Sequence, residues 1–177
     1  MSTLDTGRAP GLTAPAAQRA GTTSITKRFG FESAHYLPNV ADDHKCRRVH
    51  GHSYVVHVHV TGPMDPDAGW VVDFADVKAV WKPLEKRLDH RLLNEIEGLE
   101  NPTAENIAAW IWERYEEQRL AGQIGFHVVA VEVAETVDSQ AMFVAPEVAP
   151  WIPGHRAVPM PTRTSPETPA DLLAETS

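Results

Sequence analysis

Over residues 24–35, Ile25, Phe29, Phe31 and Ser33 fall on one side of an extended chain, the period-two pattern of a half-buried strand. Strict alternation returns over residues 49–61, where β-branched residues dominate. There His50, His52, Tyr54, Val56, Val58 and Val60 share one face, while Val55, His57 and His59 take the other. A turn over residues 62–69 follows, and the period then changes. Phe74, Val77, Trp81, Leu84 and Leu88 recur at spacings of three and four, one apolar stripe of a helix that Asp73 can cap. Pro83 lies inside that stripe and is expected to kink the helix or end its first part. Thr103, just after Pro102, predicts the cap of a second helix with Ile107, Ala108, Ile111 and Tyr115 on its buried side. Residues 126–136 set Val129, Val131 and Val133 against Ala130, Glu132 and Ala134, and residues 140–145 close a hairpin after Asp138-Ser139.

The order ββααββ predicts an α+β domain, a four-stranded antiparallel sheet with two helices on one face. Four strands leave two edges whose backbone groups invite pairing with another subunit, so self-association is expected.

Composition narrows this picture. Residues 1–23 are rich in Ala, Gly, Pro and Thr without apolar periodicity, and proline recurs through residues 150–177. Neither segment offers enough apolar surface to offset the entropy of ordering, so both are expected to be disordered around one folded domain at residues 24–149. A formal charge of −8 argues against nucleic-acid or anionic-membrane binding, which need a basic footprint. A single cysteine rules out an intramolecular disulfide and fits a reducing compartment. With neither a long apolar run nor an apolar signal core, a cytoplasmic location is expected.

The chemistry concentrates in Cys46-Arg47-Arg48-Val49-His50-Gly51-His52. Two histidines one residue apart project to the same side of a strand, where one divalent ion can take both. His35 ends the first strand, and an antiparallel partner brings that end beside the start of the second, which supplies a third ligand. Three protein ligands with an open fourth position is the pattern of catalytic zinc. His44, His57, His59, His127 and His155 are read as ordinary surface or packed histidines. Cys46 has three possible roles: a fourth ligand that closes a structural zinc site, a base or nucleophile beside an open one, or an inert buried thiol. The flanking Lys45, Arg47 and Arg48 favour the second role, and the same cations are either a phosphate cradle or a solvated basic patch.

These residues resemble the 6-pyruvoyltetrahydropterin synthase superfamily, and within it the 6-carboxytetrahydropterin synthases. The likeness covers about residues 25–145 and includes Phe31-Glu32-Ser33-Ala34-His35, the Cys46–His52 motif, Gly69-Trp70-Val71-Val72-Asp73-Phe74, Leu88-Asp89-His90, Leu99-Glu100-Asn101-Pro102-Thr103-Ala104-Glu105 and Glu135-Thr136. Three residues between Cys46 and His50 look like the carboxy-forming bacterial enzymes rather than the pyruvoyl-forming animal ones. The resemblance implies the tunnelling fold (T-fold), with trimeric barrels stacked as a homohexamer and sites at subunit interfaces. It implies a zinc-dependent lyase with Zn2+ on His35, His50 and His52. The implied reaction takes 7,8-dihydroneopterin triphosphate to 6-carboxy-5,6,7,8-tetrahydropterin, acetaldehyde and triphosphate, in queuosine or other 7-deazapurine biosynthesis. Cys46 would be the base, His90 a proton carrier whose tautomer Asp89 sets, Glu135 the pterin anchor, and Thr103 a second pterin contact or merely a helix cap. The alternatives are a 6-pyruvoyltetrahydropterin synthase and a non-catalytic zinc module in which Cys46 is the fourth ligand.

Overall fold

The computed structural model describes residues 22–146. By its contacts the chain divides into one unit, Met1–Ala145, and a second, Pro146–Ser177, of which only Pro146 is described. The disorder expected for residues 1–21 and 147–177, and the reading of His155, lie outside the described residues; Thr23, placed in the disordered extension by the sequence, belongs to the first strand.

Strands β1 (Thr23–His35) and β2 (His50–Gly62) pair antiparallel without interruption, Thr23 opposite Gly62 and His35 opposite His50. Helices α1 (Phe74–Leu88) and α2 (Ala104–Leu120) follow, and β3 (Val128–Thr136) with β4 (Ser139–Val144) completes a sheet of order β1-β2-β3-β4. This is the predicted ββααββ domain, with strand limits moved by one or two residues.

The core lies between the sheet and the helices. Phe29, Phe31, Tyr54, Val56, Val58, Val131 and Val133 point into it, as period two requires. They meet Val77, Trp81, Leu84 and Leu88 of α1 and Ile107, Trp110, Ile111 and Tyr115 of α2. Phe29 stacks on Trp81 at 4.7 Å and Phe31 on Tyr54 at 4.7 Å, while the Tyr115 hydroxyl donates to the Val77 carbonyl at 2.9 Å and ties the helices together. Asp73 and Thr103 cap their helices by accepting the backbone N–H of Ala75 and Asn106.

One expectation is narrowed and one needs correction. Pro83 does not end α1, which continues to Leu88. The ring is exposed, so the hydrogen bond it removes falls on the solvent side, and the buried stripe on both sides of it holds the two halves against one sheet. The alternation expected across β3 also breaks. His59 pairs with Ala130 but Val60 pairs with Val128, so Val129 is an extra residue in a bulge; Val128 and Ala130 are buried and Val129 only half-buried.

Candidate metal centre and active site

Parity places His50 and His52 on the core side of β2, and the uninterrupted β1–β2 register brings His35 across to join them. The three rings form a near-equilateral group, with centroids 4.4 Å apart for His35–His50 and 5.1 Å for the other two pairs. One nitrogen of each ring lies within 4.8 Å of the other two, and among the described residues this is the only such cluster of three metal-ligating side chains. Gly51, between two of the histidines, permits the close approach of the strands: a Cβ there would stand 3.0 Å from the Ser33 carbonyl oxygen.

The cluster fits a divalent ion by its own hydrogen bonding. His35 donates Nδ1–H to the Pro102 carbonyl at 2.7 Å, and His50 donates Nδ1–H to the Arg48 carbonyl at 2.8 Å. Because a carbonyl only accepts, both neutral rings carry their lone pair on Nε2, and these two nitrogens face each other at 3.0 Å. Two opposed lone pairs repel unless a cation lies between them. Tetrahedral ligands about 2.0–2.1 Å from zinc would sit about 3.3 Å apart. His52 Nε2 is buried and has no hydrogen-bond partner among the described residues. Backbone carbonyls on the far side of metal-bound histidines are the usual means of fixing the tautomer.

Burial holds the His35 ring below the ordinary histidine range, opposed by its hydrogen bond to Pro102. The unfolded chain therefore binds the proton first as pH falls below about 6.5. Stability of the metal-free protein is expected to be fully present above that pH and to drop as pH falls toward the lower folded value. Urea titrations of chelator-treated protein between pH 7.5 and 5 check this; a flat midpoint would contradict it.

Cys46 is half-buried in the short turn Lys45–Arg47 and does not belong to the histidine cluster. Its N–H donates to His44 Nδ1 at 3.1 Å, and its carbonyl accepts Leu37 N–H at 2.8 Å, which ties the turn to the segment just after His35. Of the three flanking cations, Arg47 is committed to its own loop: it pairs with Asp42 at 3.1 Å and donates to the carbonyls of Pro38 and Val40.

Asp89 and His90 follow α1. Asp89 Oδ1 accepts Glu32 N–H at 2.9 Å and Oδ2 accepts His90 Nδ1–H at 2.8 Å. The Glu32 amide first, and His90 second, hold the Asp89 carboxyl below its usual range. The His90 ring is exposed, and its backbone has φ +54°, a left-handed conformation that costs energy for a side-chain-bearing residue.

His90 lines a cleft of about 600 Å3 with Glu32, Ser53 and His52. Glu135 lines a second, of about 550 Å3, with Thr136, Ser53 and His52. His52 thus borders both, and the Glu135 charge reaches His35 and Tyr54. Thr103 Oγ1 accepts Asn106 N–H at 3.3 Å, so the cap role is present. His57 pairs with Glu132 at 3.0 Å and His59 bonds to Thr26 at 3.0 Å on the opposite face, apart from the cluster as parity predicted; His44 caps the Cys46 turn.

Sequence reasoning passed over Tyr54, Asn94 and the Pro102 carbonyl. Tyr54 is buried against His35 and His52, with a hydroxyl that has no hydrogen-bond partner among the described residues; burial, then the Glu135 charge, raises that phenol well above its usual range.

Comparison with known proteins decides the family. The model of the family described as 6-pyruvoyl tetrahydropterin synthase matches residues 24–146. The chain belongs to the 6-pyruvoyl tetrahydropterin synthase family. Within this family it is 45% identical over 133 residues to the 6-carboxy-5,6,7,8-tetrahydropterin synthase of Synechocystis, a match covering 72% of this chain and 98% of that one. It is 40% identical over 90 residues to the dihydroneopterin monophosphate aldolase of Pyrococcus furiosus, covering 51% and 72%. The structure of Caenorhabditis elegans 6-pyruvoyl tetrahydropterin synthase superposes with a TM-score of 0.62 at 25% identity, covering 71% of this chain and 96% of that one. The fold is therefore the T-fold of the family, and no helix among the described residues is long and apolar enough to cross a membrane.

Proposed function

We propose that the protein is a zinc-dependent 6-carboxy-5,6,7,8-tetrahydropterin synthase, converting 7,8-dihydroneopterin triphosphate to 6-carboxy-5,6,7,8-tetrahydropterin, acetaldehyde and triphosphate. The observation that carries this reading is the 45% identity along 98% of a relative bearing that name. The spacing of Cys46 and His50 supports the same branch.

His35, His50 and His52 would hold the ion, and three imidazoles without a thiolate suit zinc. When bound, it polarises substrate oxygens and eases loss of their protons. The remaining roles belong to the protein. Glu135, in the cleft beside His52, accepts two hydrogen bonds from the pterin 2-amino group and ring N3–H. Thr103 still has its hydroxyl proton to donate to the pterin while its oxygen caps α2. Cys46 takes a side-chain proton. Asp89 holds the His90 proton on Nδ1 and leaves Nε2 to accept or deliver another.

Asn at position 89 still accepts the Glu32 amide but turns its NH2 toward His90 Nδ1, which reverses the tautomer. Asp89→Asn is therefore expected to keep its metal and lose about 10²-fold in kcat. Metal analysis beside steady-state rates checks this, and an unchanged kcat would remove the pair from the chemistry.

Two edge strands, β1 and β4, the first bonded by residues 90–92 only near its His35 end, support assembly into a homohexamer of stacked trimers, completing sites between subunits. The product suits a cytoplasmic route to queuosine or another 7-deazapurine. The test of function is incubation of zinc-loaded protein with dihydroneopterin triphosphate and mass identification of products. Carboxytetrahydropterin with acetaldehyde is expected. Pyruvoyltetrahydropterin would move the protein to the other synthase branch, and no product from a folded oligomer would overturn both. A non-catalytic site closed by Cys46 is disfavoured by the position of that residue outside the cluster.

A further inference from the structure

His35 is the last residue of β1, and the strand end that carries it is held by the segment that follows α1. Residues 90–92 run beside the outer edge of β1. His90 N–H donates to the Glu32 carbonyl at 2.6 Å, Ala34 N–H donates to the Arg91 carbonyl at 3.0 Å, and Ala34 and Leu92 form a parallel bridge. The chain then turns away through the short helical turn Leu93–Glu95, and the backbone ladder stops. One side chain continues it. Asn94 Oδ1 accepts Tyr36 N–H at 2.9 Å, and Asn94 Nδ2 donates to the Tyr36 carbonyl at 2.8 Å and to the Glu100 carbonyl at 3.2 Å. The amide orientation follows from its partners, because the reverse would set Nδ2 against an N–H and Oδ1 against two carbonyls.

Every one of these bonds ends on a stretch that fixes His35. Tyr36 follows it directly in the chain. Glu100 lies two residues before Pro102, whose carbonyl accepts His35 Nδ1–H at 2.7 Å. The amide therefore joins the segment that carries the ring to the segment that sets its tautomer and tilt.

We infer that Asn94 is a positioning residue for the divalent-metal site, holding His35 Nε2 toward the other two histidines without touching the ion. The inference rests on reading the three histidines as a metal site and not on the identity of the reaction. Asn94→Ala cuts all three links, so His35 loses its preset direction and must be ordered by the ion itself. Asn94→Asp keeps the bond from Tyr36 N–H but sets carboxylate oxygen against two carbonyls, and it tests the donated bonds separately.

The experiment is a chelator-competition titration of the full chain, stripped of metal, with Zn2+ and with Co2+, beside the visible spectrum of the cobalt form. Tyr115→Phe is the control for mere destabilisation: it removes a buried hydrogen bond between the two helices that involves none of the three histidines or their hydrogen-bond partners. Both Asn94 variants are expected to bind metal about 10-fold more weakly than wild type, the lower end of the cost of losing a group that bonds a ligand directly. Their cobalt bands should change in position or intensity. Tyr115→Phe should melt at a lower temperature and keep wild-type affinity and spectrum. Wild-type affinity in either Asn94 variant, or an equal loss in Tyr115→Phe, would overturn the inference. Failure of wild type to bind either metal would overturn the metal-site reading itself.

Discussion

His52→Ala is expected to leave the protein without a bound divalent ion and without detectable product, while its sheet stays intact. The histidine has no structural hydrogen bond to lose: its Nε2 is buried without a partner among the described residues, and its backbone sits opposite Ser33 in an uninterrupted ladder. Removing one of three ligands costs more than the about 10–100-fold attached to a partner outside the shell. The stability of the metal-free forms should differ little, because the lost ring packing is offset by removal of an unsatisfied buried ring nitrogen that itself costs about 1–3 kcal/mol. With metal present the two proteins separate. An ion at 1,000 times its Kd stabilises the native state by about 4.1 kcal/mol, and only wild type gains this. Melting curves with and without added Zn2+, with metal content by atomic absorption, read the result. One equivalent of metal in the variant would remove His52 from the site.

The cluster was legible in the sequence because each of its requirements is local. Period two places His50 and His52 on one face of β2, and a plain hairpin register carries His35 to His50. The same parity puts His57 and His59 on the other face, where they bond to Glu132 and Thr26. The apolar stripes of α1 and α2 were equally plain, and their caps fell where Asp73 and Thr103 predict.

What escaped depends on contacts between distant parts of the chain. The carbonyl that orients His35 belongs to a residue 67 positions later, and backbone acceptors leave no mark in the identity of a residue. Asn94, between the two helices, reads as ordinary loop polarity, and its role exists only once Tyr36 and Glu100 are brought to it. The Val129 bulge is a mismatch between two strands, visible in neither alone. Pro83 left open whether the helix would end, and contacts elsewhere in the fold decided that it does not. Its local penalty is real, but the penalty fell on an exposed face while tertiary packing held the helix together.

Cys46→Ala is expected to keep metal, fold and oligomeric state and to lose about 10²–10⁴-fold in kcat, the range for removing a general base. The substitution is mild because the turn is held by backbone groups, the Cys46 N–H on His44 and the carbonyl on Leu37 N–H, and neither needs the thiol. The same Leu37 bond ties the Cys46 turn to the chain two residues past His35, and Cys46 lies outside the ligand set. The roles of ligand and base separate cleanly in the cobalt form. A coordinating thiolate adds a sulfur-to-metal charge-transfer band that disappears in Cys46→Ala together with metal affinity, whereas a base leaves spectrum and affinity unchanged and removes only turnover. Retained turnover would dismiss the thiol as an inert side chain and move the proton-accepting role to His90.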